Sequence, residues 1–193
     1  VGVTLDLFED TPLESLTTRQ IAKQLNISQP ALFRHFRSRD QLLLAVMQKV
    51  RTDLGTIADS VLEEVRGPLA RLQALTTRLL DHVEAHPGLA RLLFSPSQKG
   101  PLRDALRHVV SMQRSLIAQL VKDGQEAGVF RDDTTPTNAA IYYVGMIQGI
   151  VLRGQLEEHA RPFASQAEPM LSIWLDGVRA NPDDKVRAAL ANA

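Results

Sequence analysis

The 193-residue sequence contains no cysteine, which excludes disulfides, thiolate metal sites and a cysteine nucleophile together. No apolar run approaches the roughly 18 residues of a membrane-spanning helix, and no signal-peptide pattern opens the chain, so a cytoplasmic protein without a membrane partner is expected. The first residue is Val1 and not methionine, so a trimmed N-terminus is expected. Gly-rich phosphate loops, nucleophile motifs and zinc motifs are all missing; the sequence points to no enzyme and no cofactor. Strand-like alternation is missing too. Charge of one sign is not in excess, since Lys+Arg and Asp+Glu each total 22. The distribution is uneven, however. Arg19, Lys23, Arg34, Arg37 and Arg39 crowd the stretch from Thr17 to Asp40 against that one aspartate, which leaves the remainder net negative.

What is present is helical periodicity. Val1, Leu5 and Phe8 stripe a first segment that ends before Pro12. Thr17 caps a helix with Gln20 at the reciprocal capping-box position, Asn26 suits its exit, and Ser28 caps a second helix with Pro30 in its first turn. Ser38 caps a third, with Leu42, Leu43, Val46 and Val50 along it. Gly67-Pro68, His86-Pro87-Gly88 and Gly100-Pro101 break the later pattern, Gly124 to Asp133 reads as a connection, and strong helices are expected over 136–156 and 163–178. The expected fold is all-α: a small trihelical N-terminal unit joined through a shared helix to a larger bundle.

Two short helices joined by a tight turn, the second of them basic, form a helix-turn-helix pattern. Ile21, Ala22 and Leu25 are read as the buried face of the first helix, with Ile27, Leu32 and Phe36 locking the second onto it. Gln29, Pro30, Ala31, Phe33, Arg34 and His35 then form the outward face. Gln pairs with adenine and Arg with guanine, while Pro and Ala suit a thymine methyl. Capping hydroxyls such as that of Ser28, with Arg37 and Arg39, suit phosphates.

The run Leu16-Thr17-Thr18-Arg19-Gln20-Ile21-Ala22, continued through Ser28-Gln29-Pro30-Ala31-Leu32-Phe33-Arg34-His35-Phe36 to Arg39, resembles the DNA-binding domain of the tetracycline repressor (TetR) family. The resemblance implies that Thr17 and Thr18 meet the DNA backbone, that Arg19 reaches a base or phosphate, that Gln29, Pro30 and Ala31 line the major groove, and that Arg39 meets phosphate. Phe33 stands where the family usually has tyrosine, so an apolar DNA contact replaces a hydroxyl. Pro12 stands where a glycine is usual.

By the same resemblance, residues 1–46 are the DNA-binding domain and 47–193 an effector-binding and dimerisation domain. Phe94, Met112, Leu116, Tyr142, Tyr143 and Met146 lie on the helices that line the family's pocket. Arg91, His108, Gln113 and Gln148 are the polar groups available there. Gly145, Gly149, Met170 and Trp174 are the candidates for pairing two subunits. The implied function is a homodimeric repressor released from a palindromic DNA operator by a small, largely apolar effector. An effector-independent DNA-organising or helical interaction protein is the alternative. His82 and His86 stand four apart, a spacing that can clamp a metal, but no third ligand is marked and no metal site is expected.

Overall fold

The computed structural model describes residues 17–94, 99–157 and 162–179, the side chains of Arg91 and Phe94 excepted; its regular elements there are helices joined by short turns, with one isolated antiparallel bridge between Phe130 and Arg179. The expected Val1–Phe8 helix, Pro12 and the tail beyond Arg179 lie outside the described residues.

Helix α1 (Thr18–Gln24) opens on the expected capping box: Thr17 Oγ1 accepts from the Gln20 N–H at 3.2 Å, and Gln20 Oε1 accepts from the Thr17 N–H at 2.8 Å. It closes on Asn26, whose φ of 53° puts it in the left-handed region. That geometry lets the Asn26 N–H reach the Lys23 carbonyl (3.1 Å) and the Ile27 N–H reach the Ala22 carbonyl (2.9 Å), satisfying two carbonyls that the helix end leaves over. Helix α2 (Gln29–His35) follows at once, with Ser28 Oγ accepting from the Ala31 N–H. Helix α3 (Arg39–Glu64) is capped by Ser38 and runs from under the first two helices into the bundle. Ile27 is a correction: it is 40% exposed and Leu25 only half-buried, because both sit in or beside the turn. Ile21, Ala22 and Leu32 supply the deeply buried contacts against Leu42, Leu43, Val46 and Met47.

The bundle comprises α4 (Pro68–Ala85), α5 (Pro87–Phe94), α6 (Gly100–Glu126), α7 (Pro136–Leu156) and α8 (Ala167–Val178), the last preceded by a 3-10 turn over Ala164–Gln166. Helices α6 and α7 pack along one another; α3 and α4 lie against α6, and α8 lies against α4. The α3–α4 corner is held by Arg71, whose guanidinium donates to the carbonyls of Leu62 and Val65. Gly124, expected in a connection, instead belongs to α6, which ends two residues later through a left-handed Gly128. The turn is made by Gly128, and the glycine at 124 serves packing instead: a Cβ there would stand 2.0 Å from the Phe130 ring. Phe130 folds back onto that gap and meets Trp174 edge-on, tying the α6–α7 connection to α8.

Candidate nucleic-acid interface and buried cavities

On α2 the exposed side chains are Pro30, Phe33, Arg34 and His35; the first three recur at i, i+3 and i+4 and so share one face. Phe33 is 42% exposed, an apolar ring turned to solvent beside a guanidinium. Thr17, Arg19 and Lys23 are exposed on α1, as are Ser28 and Arg37 at the two ends of α2. Gln29 is drawn partly inward. Its Nε2 donates to Thr18 Oγ1 at 3.0 Å, bridging the starts of the two helices. Ala31 is half-buried behind it. Arg39 lies in a cleft of about 150 Å³ with Asp40 and, from the start of α6, Lys99 and Pro101, so it stands at the seam between the helix-turn-helix and the bundle.

Two apolar cavities of about 60 and 70 Å³ lie inside the bundle. The first is bounded by Ile57 and Ala58 of α3, by Met112 and Leu116 of α6 and by Tyr143 of α7. The second extends toward α5, past Val83, Leu93 and Val110. Leu54, Leu79, Gln113, Ile147 and Gln148 line both. Of the pocket residues expected from the sequence, the structure thus brings Met112, Leu116 and Tyr143 together. Tyr142 is a correction, being 69% exposed on the other side of α7. Met146 also turns away, into an outer groove shared with Gly149, Met170 and Ile173. The Phe94 side chain lies outside what the structure describes. Of the polar candidates, Gln113 and Gln148 reach the cavities, whereas His108 is exposed. Helix α3, which carries none of the expected pocket residues, supplies a wall.

Tyr143 ends the first cavity in a defined hydrogen-bond state. Thr76 Oγ1 donates to the Leu72 carbonyl (2.7 Å), so the Tyr143 hydroxyl is the donor in the 2.6 Å contact with Thr76. Burial pushes that phenol up to about 12, so it stays neutral. The Trp174 ring stands edge-on to Tyr143 at 5.5 Å and its Nε1–H donates to the Ala139 carbonyl, so Trp174, expected at a subunit contact, is a core residue of its own chain. Met170 is likewise buried within its own chain, though it floors the outer groove.

The outer side of α7 carries Tyr142, Gly145, Gly149, Leu152 and Leu156, spaced alternately three and four apart and all exposed. A Cβ at Gly145 or Gly149 would meet nothing within 4 Å. Ile173 of α8, 69% exposed, stands across the groove. Because the inner side of α7 buries Ala139, Ala140, Tyr143, Val144 and Ile147, this helix is apolar on both sides. That two-sided pattern is the signal by which Leu152 and Leu156 could have been picked from sequence.

His82 and His86 stack tilted with ring centroids 4.5 Å apart, and among the described residues no third His, Cys, Asp or Glu joins them to form a metal-holding group. His82 Nε2 is buried and makes no hydrogen bond there. Burial first, then the His86 ring and Lys49, hold the His82 pKa below its ordinary 6.5, against the opposing pull of Asp53. An unfolded chain therefore takes up this proton before the folded one does as pH falls. The stabilising contribution is complete above about pH 6.5 and drains away below it. Between pH 7.5 and 5.5, wild type should lose more melting temperature than His82→Leu; equal losses would remove His82 from the acid response.

Comparison with known proteins follows the same division. A family profile described as bacterial regulatory proteins, tetR family, matches residues 2–46, and one described as tetracyclin repressor-like, C-terminal domain, matches residues 68–169. The chain is 25% identical over 146 residues to the nucleoid occlusion factor SlmA of Marinomonas sp., 74% of each chain being covered. The solved ketosteroid transcriptional regulator KstR2 of Mycobacterium tuberculosis superposes with a TM-score of 0.76 at 19% identity over 93% of each chain. The transcriptional regulator FadR from Bacillus subtilis, solved with stearoyl-CoA, superposes with a TM-score of 0.79 at 12% identity, over 92% of this chain and 97% of its own.

Proposed function

The chain belongs to the tetR family of bacterial regulatory proteins, and we propose that it works as a homodimeric repressor, released from a palindromic operator by a small, largely apolar effector held between α3, α4, α6 and α7. The DNA-reading end is residues 1–46 and the effector and dimer domain residues 47–193, the two meeting within α3. Arg19, Thr17, Thr18 and Ser28 meet the backbone or adjoining bases, while Pro30, Phe33 and Arg34 face the major groove. The exposed stripe on α7, with Ile173, pairs with its copy in a second subunit. Pairing is supported by the two-sided apolar character of α7, since an apolar stripe gains from leaving water.

One observation carries the regulatory reading. Helix α3 bears the helix-turn-helix on its first turns, and the same helix lines the cavity with Leu54, Ile57 and Ala58. From Arg39 to Leu54 the helix runs about 22 Å, so a tilt of about 5° at the cavity moves the DNA-reading end by about 2 Å. The cavities, at about 60 and 70 Å³, are far below the roughly 300–1,000 Å³ of drug-sized ligand sites. A larger effector must therefore part the helices, and it favours whichever arrangement lets it in. The ligand of the FadR structure, stearoyl-CoA, joins a long apolar chain to a charged coenzyme A group, and it is the apolar chain that resembles what these cavities could take.

The test is selection of genomic fragments by the purified protein, followed by anisotropy titration of the enriched sequences at several salt concentrations. Enrichment of one palindrome bound as a dimer is expected. Weak, uniform and steeply salt-dependent binding would instead favour an effector-independent DNA-organising protein.

A further inference from the structure

The two cavities share five lining residues, and the two polar ones are both uncharged amides: Gln113 of α6 and Gln148 of α7. Beyond this waist the described lining of both cavities is Leu, Ile, Val, Ala and Met, with Tyr143 in the first as the one further polar group among the described residues, its hydroxyl hydrogen already given to Thr76. Among the described residues neither lining contains Lys, Arg, His, Asp or Glu. The amides make no hydrogen bond to any described residue, although each has two donor hydrogens and an acceptor oxygen. An anion placed here would be buried without a counter-charge, which proteins avoid. A neutral carbonyl or hydroxyl would find both donors and acceptors at the waist and dry space on either side.

We propose that the two cavities are the arms of one site, and that it takes an uncharged, elongated molecule bearing a carbonyl or hydroxyl near its middle, gripped by Gln113 and Gln148. This rests on the reading that the effector sits in the bundle, and it adds the ligand's charge and the position of its polar group.

Heptan-4-one, heptan-2-one and heptanoate test it. The two ketones are isomers, so apolar content is equal and only the carbonyl's place differs, while heptanoate adds the charge. Binding is followed by the fluorescence of Trp174, the only tryptophan, which stands against the cavity residue Tyr143. Heptan-4-one should bind about threefold to tenfold more tightly than heptan-2-one, the effect of one net hydrogen bond. Heptanoate should bind weakest. The advantage of the central ketone should vanish in Gln113→Leu or Gln148→Leu while heptan-2-one still binds. Preference for heptanoate, equal binding of the isomers, or an advantage that survives both substitutions would each overturn the assignment but leave the cavity as the effector site. Failure of all three probes to bind wild type would overturn the effector-site reading itself, and this one with it.

Discussion

Gly149→Arg should fold normally, run as a monomer, and bind the operator about a thousandfold more weakly than wild type. Normal folding follows from the space around it, for a Cβ at Gly149 meets no atom within 4 Å and the residue is exposed. Loss of pairing follows from its place, midway along the stripe of Tyr142, Gly145, Leu152 and Leu156. A two-fold interface is the same patch on both subunits, so a single substitution sets two guanidiniums in it without partners. Burying each costs several kcal/mol. A monomer then presents one helix-turn-helix where a palindrome offers two half-sites, and it falls toward non-specific binding, which is about 10³-fold weaker at the least. Sedimentation, far-UV circular dichroism and operator titration would check the three parts separately. A variant that stays dimeric moves the interface elsewhere, whatever its DNA affinity.

How far such a site can be read from sequence depends on the range of the forces involved. The caps at Thr17 and Ser28 and the left-handed Asn26 close hydrogen bonds between residues three to five positions apart, so the local sequence suffices to place them. Helix α7 could be located from the same kind of signal, with Thr135 and Pro136 at its start. Which of its sides faces inward could not. Tyr142 and Tyr143 are adjacent and chemically alike, and both sides of the helix are apolar. Only the arrival of Trp174 and Thr76 from distant segments distinguishes the buried tyrosine from the exposed one. Trp174 itself reads as an interface aromatic until Phe130 and Tyr143 are seen to enclose it. Gln113 and Gln148, thirty-five residues apart on two helices, meet at one waist through packing that periodicity alone does not specify.

Arg34→Ala should lower affinity for the operator by about 1–3 kcal/mol for each base pairing removed, and in a symmetric dimer every such pairing is removed twice. The exposed face of α2 offers Pro30, Phe33 and Arg34, and of these only the guanidinium donates the paired hydrogen bonds that separate guanine from the other bases. The Arg34 side chain is exposed to solvent, so folding should be untouched. Gln29→Ala is the instructive comparison. Its amide already spans to Thr18 at 3.0 Å, so its removal loosens the fit of α2 against α1 as well as any hold on a base. Selectivity among operator variants separates the two roles. Loss of discrimination at one base pair per half-site is expected for Arg34→Ala, whereas a more even weakening is expected where Gln29 acts through Thr18. Arg37→Ala provides the electrostatic control: the side chain is exposed at the end of α2, and its loss should weaken all DNA alike and reduce the salt slope by about 0.9 for each phosphate no longer neutralised. If base preference were unchanged in both Arg34→Ala and Gln29→Ala, the outward face of α2 would not be the reading surface, and the salt slope alone would describe how this end of the molecule holds DNA.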